Sequence, residues 1–114
     1  MDTLQCAIIL AKLQRFDWEI TRRLDVGGRY NRLFDDVGIR RIQQRRDRTS
    51  AFAQYTIFVE DRAEVQSALK ARGIPTAVHY PVPLNEQSSY REKSRFGRLP
   101  QSERASKTVL SLPM

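Results

Sequence analysis

Cysteine, histidine and long apolar runs are all scarce in this chain of 114 residues, and each shortage excludes a class of protein. Cys6 is the only cysteine and His79 the only histidine, which excludes an internal disulfide and a metal site of clustered Cys and His ligands. A single thiol is typical of a reducing compartment, so the cytoplasm is the expected location. The longest apolar run, residues 7–11, is far too short to cross a bilayer and lacks the basic flank of a secretory signal.

Several catalytic signatures are also missing from the sequence. It contains no paired carboxylates at catalytic spacing, no Ser-His-Asp set and no glycine-rich phosphate loop. Gly27 and Gly28 lie inside a predicted helix, with no strand before them, and each weakens that helix by about 1 kcal/mol relative to alanine. With 40% hydrophobic and 29% charged residues, the composition is nevertheless that of an ordinary globular protein.

Arginine is the residue in excess: it supplies 16 of the 20 basic residues, and the formal net charge is +7. A charge of this sign suits nucleic acid, an anionic membrane or a phosphorylated ligand. Five arginines lie between positions 40 and 48, a run that could bind RNA or another polyanion. A solvated basic loop explains the run more simply, so nucleic acid is not the expected partner.

Helical periodicity dominates the first third of the sequence. Asp2 or Thr3 can cap a helix that ends near Leu13, and its wide apolar stripe predicts burial on most sides. A second helix is predicted over residues 17–34. Residues 35–50 are predicted to be an exposed basic connection, with one short strand at residues 39–43.

The second half alternates between strand and helix patterns, which predicts a βαβ unit. The predicted elements are a strand at 51–59, a helix from 60–61 to Arg72 that Gly73 ends, and a strand at 74–80. Pro81 and Pro83 break that strand. After them we expect a short helix at 85–91, a polar and mobile stretch at 88–97, a helix at 100–109, and a strand that starts at 110–112 just before the chain stops.

His79 and Tyr80 are the candidate site residues because they end a predicted strand, where α/β folds meet their ligands. Imidazole and phenol groups offer two hydrogen-bond donors suited to phosphate and carboxylate oxygens. The residues alone also allow a purely structural interpretation, in which His79 is a half-buried turn residue and Tyr80 a core aromatic.

Three segments, taken in order, resemble the DegT/DnrJ/EryC1/StrS family of aminotransferases. The opening Met-Asp-Thr-Leu-Gln-Cys-Ala-Ile-Ile-Leu-Ala-Lys-Leu is similar to the helix that follows the family's dimer-interface loop. Arg72-Gly73-Ile74, followed by His-Tyr-Pro-Val-Pro-Leu at 79–84, is similar to a second family segment. Leu-Ser-Leu-Pro-Met at 110–114 is similar to a third.

The resemblance implies an α/β (α+β) fold, that of the C-terminal small domain of fold type I aminotransferases. The implied domains are linking helices at 1–34, the basic connection at 35–50, and a small domain at 51–114 with a βαβ-containing sheet that is truncated at its end. Family members are roughly three times as long, so the resemblance predicts a reading frame that continues beyond this segment.

The resemblance further implies a pyridoxal phosphate enzyme that aminates a keto sugar nucleotide. The form of the motifs is closest to members that act on a UDP-3-keto-sugar uronate in O-antigen synthesis. His79 and Tyr80 would then face the sugar nucleotide of a homodimeric enzyme that also uses an amino-acid donor. None of the four lysines matches the family's Schiff-base lysine, so this chain by itself is expected to be inactive and not to bind the cofactor covalently.

Two alternatives remain open from the sequence. One is a stand-alone basic module that binds RNA or another polyanion through residues 40–48. The other is an inactive gene remnant.

Overall fold

Helices surround a very small sheet in the computed structural model, which describes residues 2–92 and 97–114. This mixed architecture agrees with the predicted fold class. The elements are α1 (Thr3–Leu13), α2 (Phe16–Asp36), β1 (Tyr55–Phe58), α3 (Arg62–Ala71), a 3-10 turn (Leu84–Glu86), α4 (Ser88–Arg91), α5 (Pro100–Thr108) and β2 (Val109–Leu112).

Local side-chain chemistry sets the ends of the helices where the sequence predicted them. The Asp2 carboxylate accepts a 2.9 Å hydrogen bond from the Gln5 backbone N–H, and the Gln5 side chain accepts one from the Asp2 N–H, which is a capping box. The Asp61 side chain caps α3 by accepting a 3.3 Å hydrogen bond from the Glu64 N–H. Gly73 follows α3 with φ of 73°, a left-handed conformation that suits glycine at a helix end.

The sheet consists of β1 and β2 in antiparallel register, with Thr56 opposite Ser111. Isolated antiparallel bridges extend it on both sides, Arg41 to Ile57 on the β1 edge and Ala77 to Ser111 on the β2 edge. Across the sheet the order is therefore Arg41, β1, β2, Ala77. Two antiparallel steps make the Ala77 segment parallel to β1, but β2 lies between them.

The predicted strand at 74–80 is wrong, because only Ala77 pairs with the sheet. Pro75 and Pro81 flank this residue, and proline has no N–H to donate to a ladder. In the predicted βαβ unit the two strands would be neighbours, but here β2 lies between β1 and the Ala77 segment. Because β2 is distant in sequence, a local pattern cannot reveal its position.

Three other predicted elements are shorter than expected. The strand at 51–59 contracts to β1, and Phe52, within its predicted first half, adopts a positive φ of 45°. The strand at 39–43 is reduced to the single bridge of Arg41. The helix at 85–91 divides into the 3-10 turn and α4, so part of the stretch predicted to be mobile is helical, while residues 93–96 lie outside the described part of the chain.

Alternation along the two strands builds the hydrophobic core on one face of the sheet. Tyr55 and Ile57 of β1 lie beside Leu110 and Leu112 of β2, and all four are buried. Half-buried apolar side chains from α2, α3 and the loops complete the cluster: Tyr30, Phe34, Phe52, Val59, Val65, Leu69, Val78 and Met114.

The glycine pair in α2 has different roles at its two positions. A Cβ on Gly27 would lie 2.5 Å from two ring carbons of Phe52, whereas a Cβ on Gly28 would meet nothing within 4 Å. The Phe52 ring also stacks on Tyr55 at 5.9 Å, and the Phe52 carbonyl accepts a 3.1 Å hydrogen bond from Arg23. Gly27 therefore allows the 51–54 loop to pack directly on the α2 backbone, a close approach that the sequence did not reveal.

The apolar stripe of α1 is exposed in this chain, contrary to the prediction of burial on most sides. None of the α1 residues is buried, and Leu4 is 71% and Leu10 65% exposed. The start of α2 adds Phe16 and Trp18, each more than half exposed. A stripe of this size on a soluble protein normally has a covering surface, and the described residues of this chain do not supply one.

The end of α2 is tied to the sheet edge by an ion pair between Asp35 and Arg41. The Arg41 guanidinium donates to both carboxylate oxygens, at 3.0 and 2.7 Å, and its side chain is only 11% exposed. These hydrogen bonds lower the pKa of Asp35 below its ordinary value of 3.8, because they favour the ionised carboxylate. Arg41 forms the bridge to β1, so its ion pair with Asp35 links the end of α2 to the edge of the sheet.

Substituting the two glycines by alanine should separate these roles. Gly28→Ala should stabilise the fold by about 1 kcal/mol through helix propensity. Gly27→Ala gains the same propensity but displaces the Phe52 ring, a type of overpacking that costs about 1–3 kcal/mol. Urea unfolding of both variants measures the difference. In a Phe52→Ala background Gly27→Ala should become as favourable as Gly28→Ala, and a persistent deficit there would show that the ring is not the obstacle.

The Asp35–Arg41 pair predicts how stability depends on pH. Because the folded-state pKa of Asp35 is lowered, its contribution is present above the ordinary value of 3.8 and is lost as the pH falls through the folded value. Asp35→Asn should therefore remove part of the acid-dependent loss of stability, which unfolding curves at decreasing pH would measure. Asp36→Asn is the matched control, and an equal effect of the two variants would contradict the assignment.

Candidate functional site

His79 lies two residues beyond the bridge of Ala77 and is held by the sheet. Its Nδ1 atom is 3.1 Å from the Ser111 Oγ atom of β2, and its imidazole is half-buried. The Ser111 Oγ in turn lies 3.2 Å from Thr56 Oγ1 of β1. A row of three polar side chains therefore crosses the sheet on the face opposite the core.

Tyr80 follows His79 through a cis peptide bond, and its side chain points away from the core. The residue is 69% exposed, and its ring meets the His79 ring edge-on with centroids 5.7 Å apart. The purely structural interpretation therefore describes half of the pair: His79 is half-buried, as that interpretation required, but Tyr80 is not a core aromatic. An exposed phenol beside an anchored imidazole is an arrangement that can meet a ligand.

Two surface cavities share His79 as part of their wall. The smaller, of about 290 Å³, also includes Arg23, Thr76 and Ser111. The larger, of about 580 Å³, includes Tyr80, Gln87 and several apolar side chains. Donors from imidazole, phenol, guanidinium and amide groups thus line two cavities that share His79, which suits an oxygen-rich anionic ligand.

The arginine run at 40–48 is largely engaged in local contacts. The Arg40 guanidinium lies 4.7 Å above the Phe58 ring, and Arg41 pairs with Asp35. Arg45 and Arg48 both donate to the Asp47 carboxylate at 3.0 Å, and these hydrogen bonds lower the pKa of Asp47. The predicted aromatic neighbours, Phe52 and Tyr55, belong to the core cluster and offer no stacking platform.

The described lysines are exposed residues of the helices. Lys12, Lys70 and Lys107 are exposed on α1, α3 and α5, and none of them lines a cavity that contains His79, while Lys93 lies outside the described residues. Pyridoxal phosphate needs a lysine amine close to its substrate. The described residues do not by themselves fit this cofactor.

Residues 2–92 and 97–114 offer neither a candidate metal site nor a candidate membrane-spanning helix. This part of the chain holds no cluster of three or more side chains suited to a metal ion. It also contains no helix that is both long enough and apolar enough to traverse a bilayer.

Three residues near His79 were not predicted as site residues. They are Ser111, which contacts the imidazole, Thr56, which contacts Ser111, and Arg23, which lines the smaller cavity. Ser111 belongs to the Leu-Ser-Leu-Pro-Met segment, and its position between two apolar strand residues could have indicated that it faces away from the core. No signal in the sequence places it beside His79, because that contact spans 32 positions.

Comparison with known proteins gives a consistent result along the whole chain. The DegT/DnrJ/EryC1/StrS aminotransferase family matches residues 1–114. Among individual relatives, the UDP-2-acetamido-2-deoxy-3-oxo-D-glucuronate aminotransferase of Pseudomonas aeruginosa is 43% identical over 114 residues, which are 100% of this chain and 31% of that protein. A pleiotropic regulatory protein of Geobacillus stearothermophilus is 36% identical over 118 residues, covering 100% of this chain and 32% of its own length.

Solved structures agree. A DegT DnrJ EryC1 StrS aminotransferase from Brucella abortus superposes with a TM-score of 0.89 at 36% identity, and S. venezuelae DesV in complex with a ketimine intermediate superposes with 0.88 at 30% identity. In both cases the match covers 100% of this chain and 31% of the other. The chain thus spans about a third of the length of the proteins that it matches. From end to end, this chain belongs to the DegT/DnrJ/EryC1/StrS aminotransferase family.

Proposed function

We propose that this chain is the C-terminal part of a pyridoxal phosphate-dependent aminotransferase that converts a keto group of a UDP-linked sugar to an amine. The observation that carries the proposal is the match over the full chain, at 43% identity, to an aminotransferase of a UDP-linked 3-oxo sugar. A second relative, a UDP-N-acetyl-3-dehydro-alpha-D-glucosamine 3-aminotransferase, is 38% identical over 63 residues.

In this proposal His79 and Tyr80 bind the sugar nucleotide. Sugar nucleotides carry phosphate oxygens, and a uronate adds a carboxylate, so the ligand presents acceptors to the two donors. His79 is fixed by the sheet, whereas Tyr80 is 69% exposed and can move onto a ligand. The nearby Arg23 adds positive charge to the smaller cavity.

The cofactor chemistry is assigned to residues outside this chain. When it is bound, pyridoxal phosphate acts as the electron sink for transamination, held by a lysine amine. Lys12, Lys70 and Lys107 do not fit that task, since they are exposed and line neither cavity that contains His79. The contribution of this chain is therefore to bind and orient the substrate.

The proposal also covers the cellular location, the biosynthetic role and the oligomeric state of the enzyme. We place the enzyme in the cytoplasm, in the biosynthesis of a surface polysaccharide such as O-antigen, with an amino acid as the amino donor. We also propose a homodimer. The exposed apolar stripes of α1 and the start of α2 support extensive contact with further protein, because a stripe of that size is seldom left in water.

A hybrid enzyme tests this function. The matching segment of the Pseudomonas aeruginosa aminotransferase is replaced by this chain, and transamination of that enzyme's UDP-linked 3-oxo substrate is assayed. The hybrid should be active, because the replaced segment matches over its entire length. His79→Ala should raise KM for the sugar nucleotide about ten-fold, the loss expected for one hydrogen bond to a charged group.

Controls make this result decisive. Lys70→Ala removes an exposed charge from α3, which lines neither of the two cavities that contain His79, and should leave KM unchanged. The unmodified 114-residue chain mixed with pyridoxal phosphate should give no Schiff-base absorbance band that the substitution of one lysine removes. A folded hybrid without activity would contradict the proposal and favour an inactive remnant, and equal KM values for the His79 and Lys70 variants would remove His79 from the site.

The alternative of a polyanion-binding module makes a separate prediction. Since Arg41, Arg45 and Arg48 are paired with carboxylates, we expect only weak RNA binding by the chain. Fluorescence anisotropy with a labelled single-stranded RNA, repeated over a range of salt concentrations, measures this. Tight binding that weakens steeply as salt rises would instead favour the basic module, and Asp47→Asn, which frees two guanidinium groups, should then tighten it further.

A further inference from the structure

We propose that Ser111 is the positioning residue of His79: its hydroxyl donates to Nδ1, fixes the plane of the imidazole, and leaves the ring proton on Nε2 for the ligand. Thr56 completes the arrangement by donating to Ser111. The part of this inference that concerns the ligand rests on the proposed function, whereas the contact between Ser111 and His79 does not.

Ser111 holds the His79 segment through its backbone as well as its side chain. Its N–H donates to the Ala77 carbonyl at 2.8 Å, and its carbonyl accepts from the Ala77 N–H at 3.0 Å. Residues two apart in an extended segment point to the same side, so His79 lies on the face of Ala77 and Ser111. One strand residue therefore fixes both the path of this segment and the orientation of its imidazole.

Burial makes this contact rigid. Ser111 is 4% exposed, and it lies between Leu110 and Leu112, whose side chains anchor the opposite face of the sheet. A buried hydroxyl needs hydrogen-bond partners, and Ser111 has two, Thr56 at 3.2 Å and His79 at 3.1 Å. No residue of the described chain buries a side-chain nitrogen or oxygen without a partner, so the row is fully satisfied.

The direction of the hydrogen bonds follows from counting protons. The Ser111 hydroxyl has one proton, so it can donate to one neighbour and must accept from the other. If Thr56 donates to Ser111, then Ser111 donates to Nδ1, and a neutral imidazole carries its proton on Nε2. That nitrogen then offers an N–H to the cavities that His79 borders, as a phosphate or carboxylate oxygen requires.

Nitrogen NMR of the ring tests the contact directly, because His79 is the only histidine of the chain. The 114-residue chain is labelled with ¹⁵N-histidine, and both ring-nitrogen resonances are recorded at fixed pH. The wild type should show the tautomer protonated on Nε2. Ser111→Ala should shift the Nδ1 resonance and reduce that tautomer's population, whereas Ser67→Ala, which removes an exposed hydroxyl from α3, should not.

Three further variants test whether the Ser111 hydroxyl itself, and not a general loss of structure, causes the shift. Ser111→Cys keeps nearly the same volume with a weak donor, so it should shift the resonance even if Ser111→Ala fails to fold. Ser111→Thr restores a hydroxyl and should return the wild-type spectrum. Thr56→Val should leave the tautomer unchanged, since Ser111 still donates to Nδ1. Spectra of Ser111→Ala and Ser111→Cys that match the wild type would overturn the inference, and a tautomer change in Thr56→Val would overturn the direction of donation.

Kinetics of the hybrid enzyme separate this inference from the proposed function. Ser111→Ala should raise KM for the sugar nucleotide about ten-fold and leave the half-reaction with the amino donor unchanged, while Ser111→Thr restores KM. Equal losses in both half-reactions would indicate a general structural role and overturn the positioning role. If the NMR shift is observed but His79→Ala leaves KM unchanged, the proposed function fails and the contact between Ser111 and His79 stands.

Discussion

Tyr55 joins the only sheet of the described chain to its longest helix. Its ring lies 4.7 Å from that of Tyr30 and 5.9 Å from that of Phe34, so two turns of α2 pack on one strand residue. Its hydroxyl donates to the Asn31 side chain at 2.8 Å, which satisfies the phenol's polar end, and burial raises its pKa. Gly27 then lets Phe52 stack beside it, so the helix, the loop and the strand share a single aromatic cluster.

The other face of the sheet carries the hydroxyls of Thr56 and Ser111 beside the apolar pair of Phe58 and the buried Val109. Tyr55, Ile57, Leu110 and Leu112 point into the core, and alternation turns Thr56 and Ser111 the other way. The stability of the core thereby fixes the positions of the hydroxyls that reach His79. The same small core cannot cover α1 or the first turns of α2, so a large part of the apolar surface of the chain remains exposed.

Much of the local structure was predictable, since short-range chemistry determines it. Asp2 and Gln5 form a capping box, and Gly73 ends α3, because these effects act within a few residues. The family was predictable from three ordered segments, and the match over residues 1–114 confirmed it. The position of the Ala77 segment beside β2 rather than β1 was not predictable, because it depends on which segment occupies the neighbouring place in the sheet. Local alternation contains no information about that neighbour.

By itself, then, the sequence determined α1, α2, α3 and α5, the family, and the choice of His79 and Tyr80 as candidate site residues. Only the tertiary structure decided that β2 separates β1 from the Ala77 segment, that Phe52 packs on Gly27, and that Ser111 meets His79. Helix caps and turns join residues a few positions apart, so their chemistry can be read locally. The contact of Ser111 with Thr56 spans 55 positions, and only the folded sheet brings those two hydroxyls together.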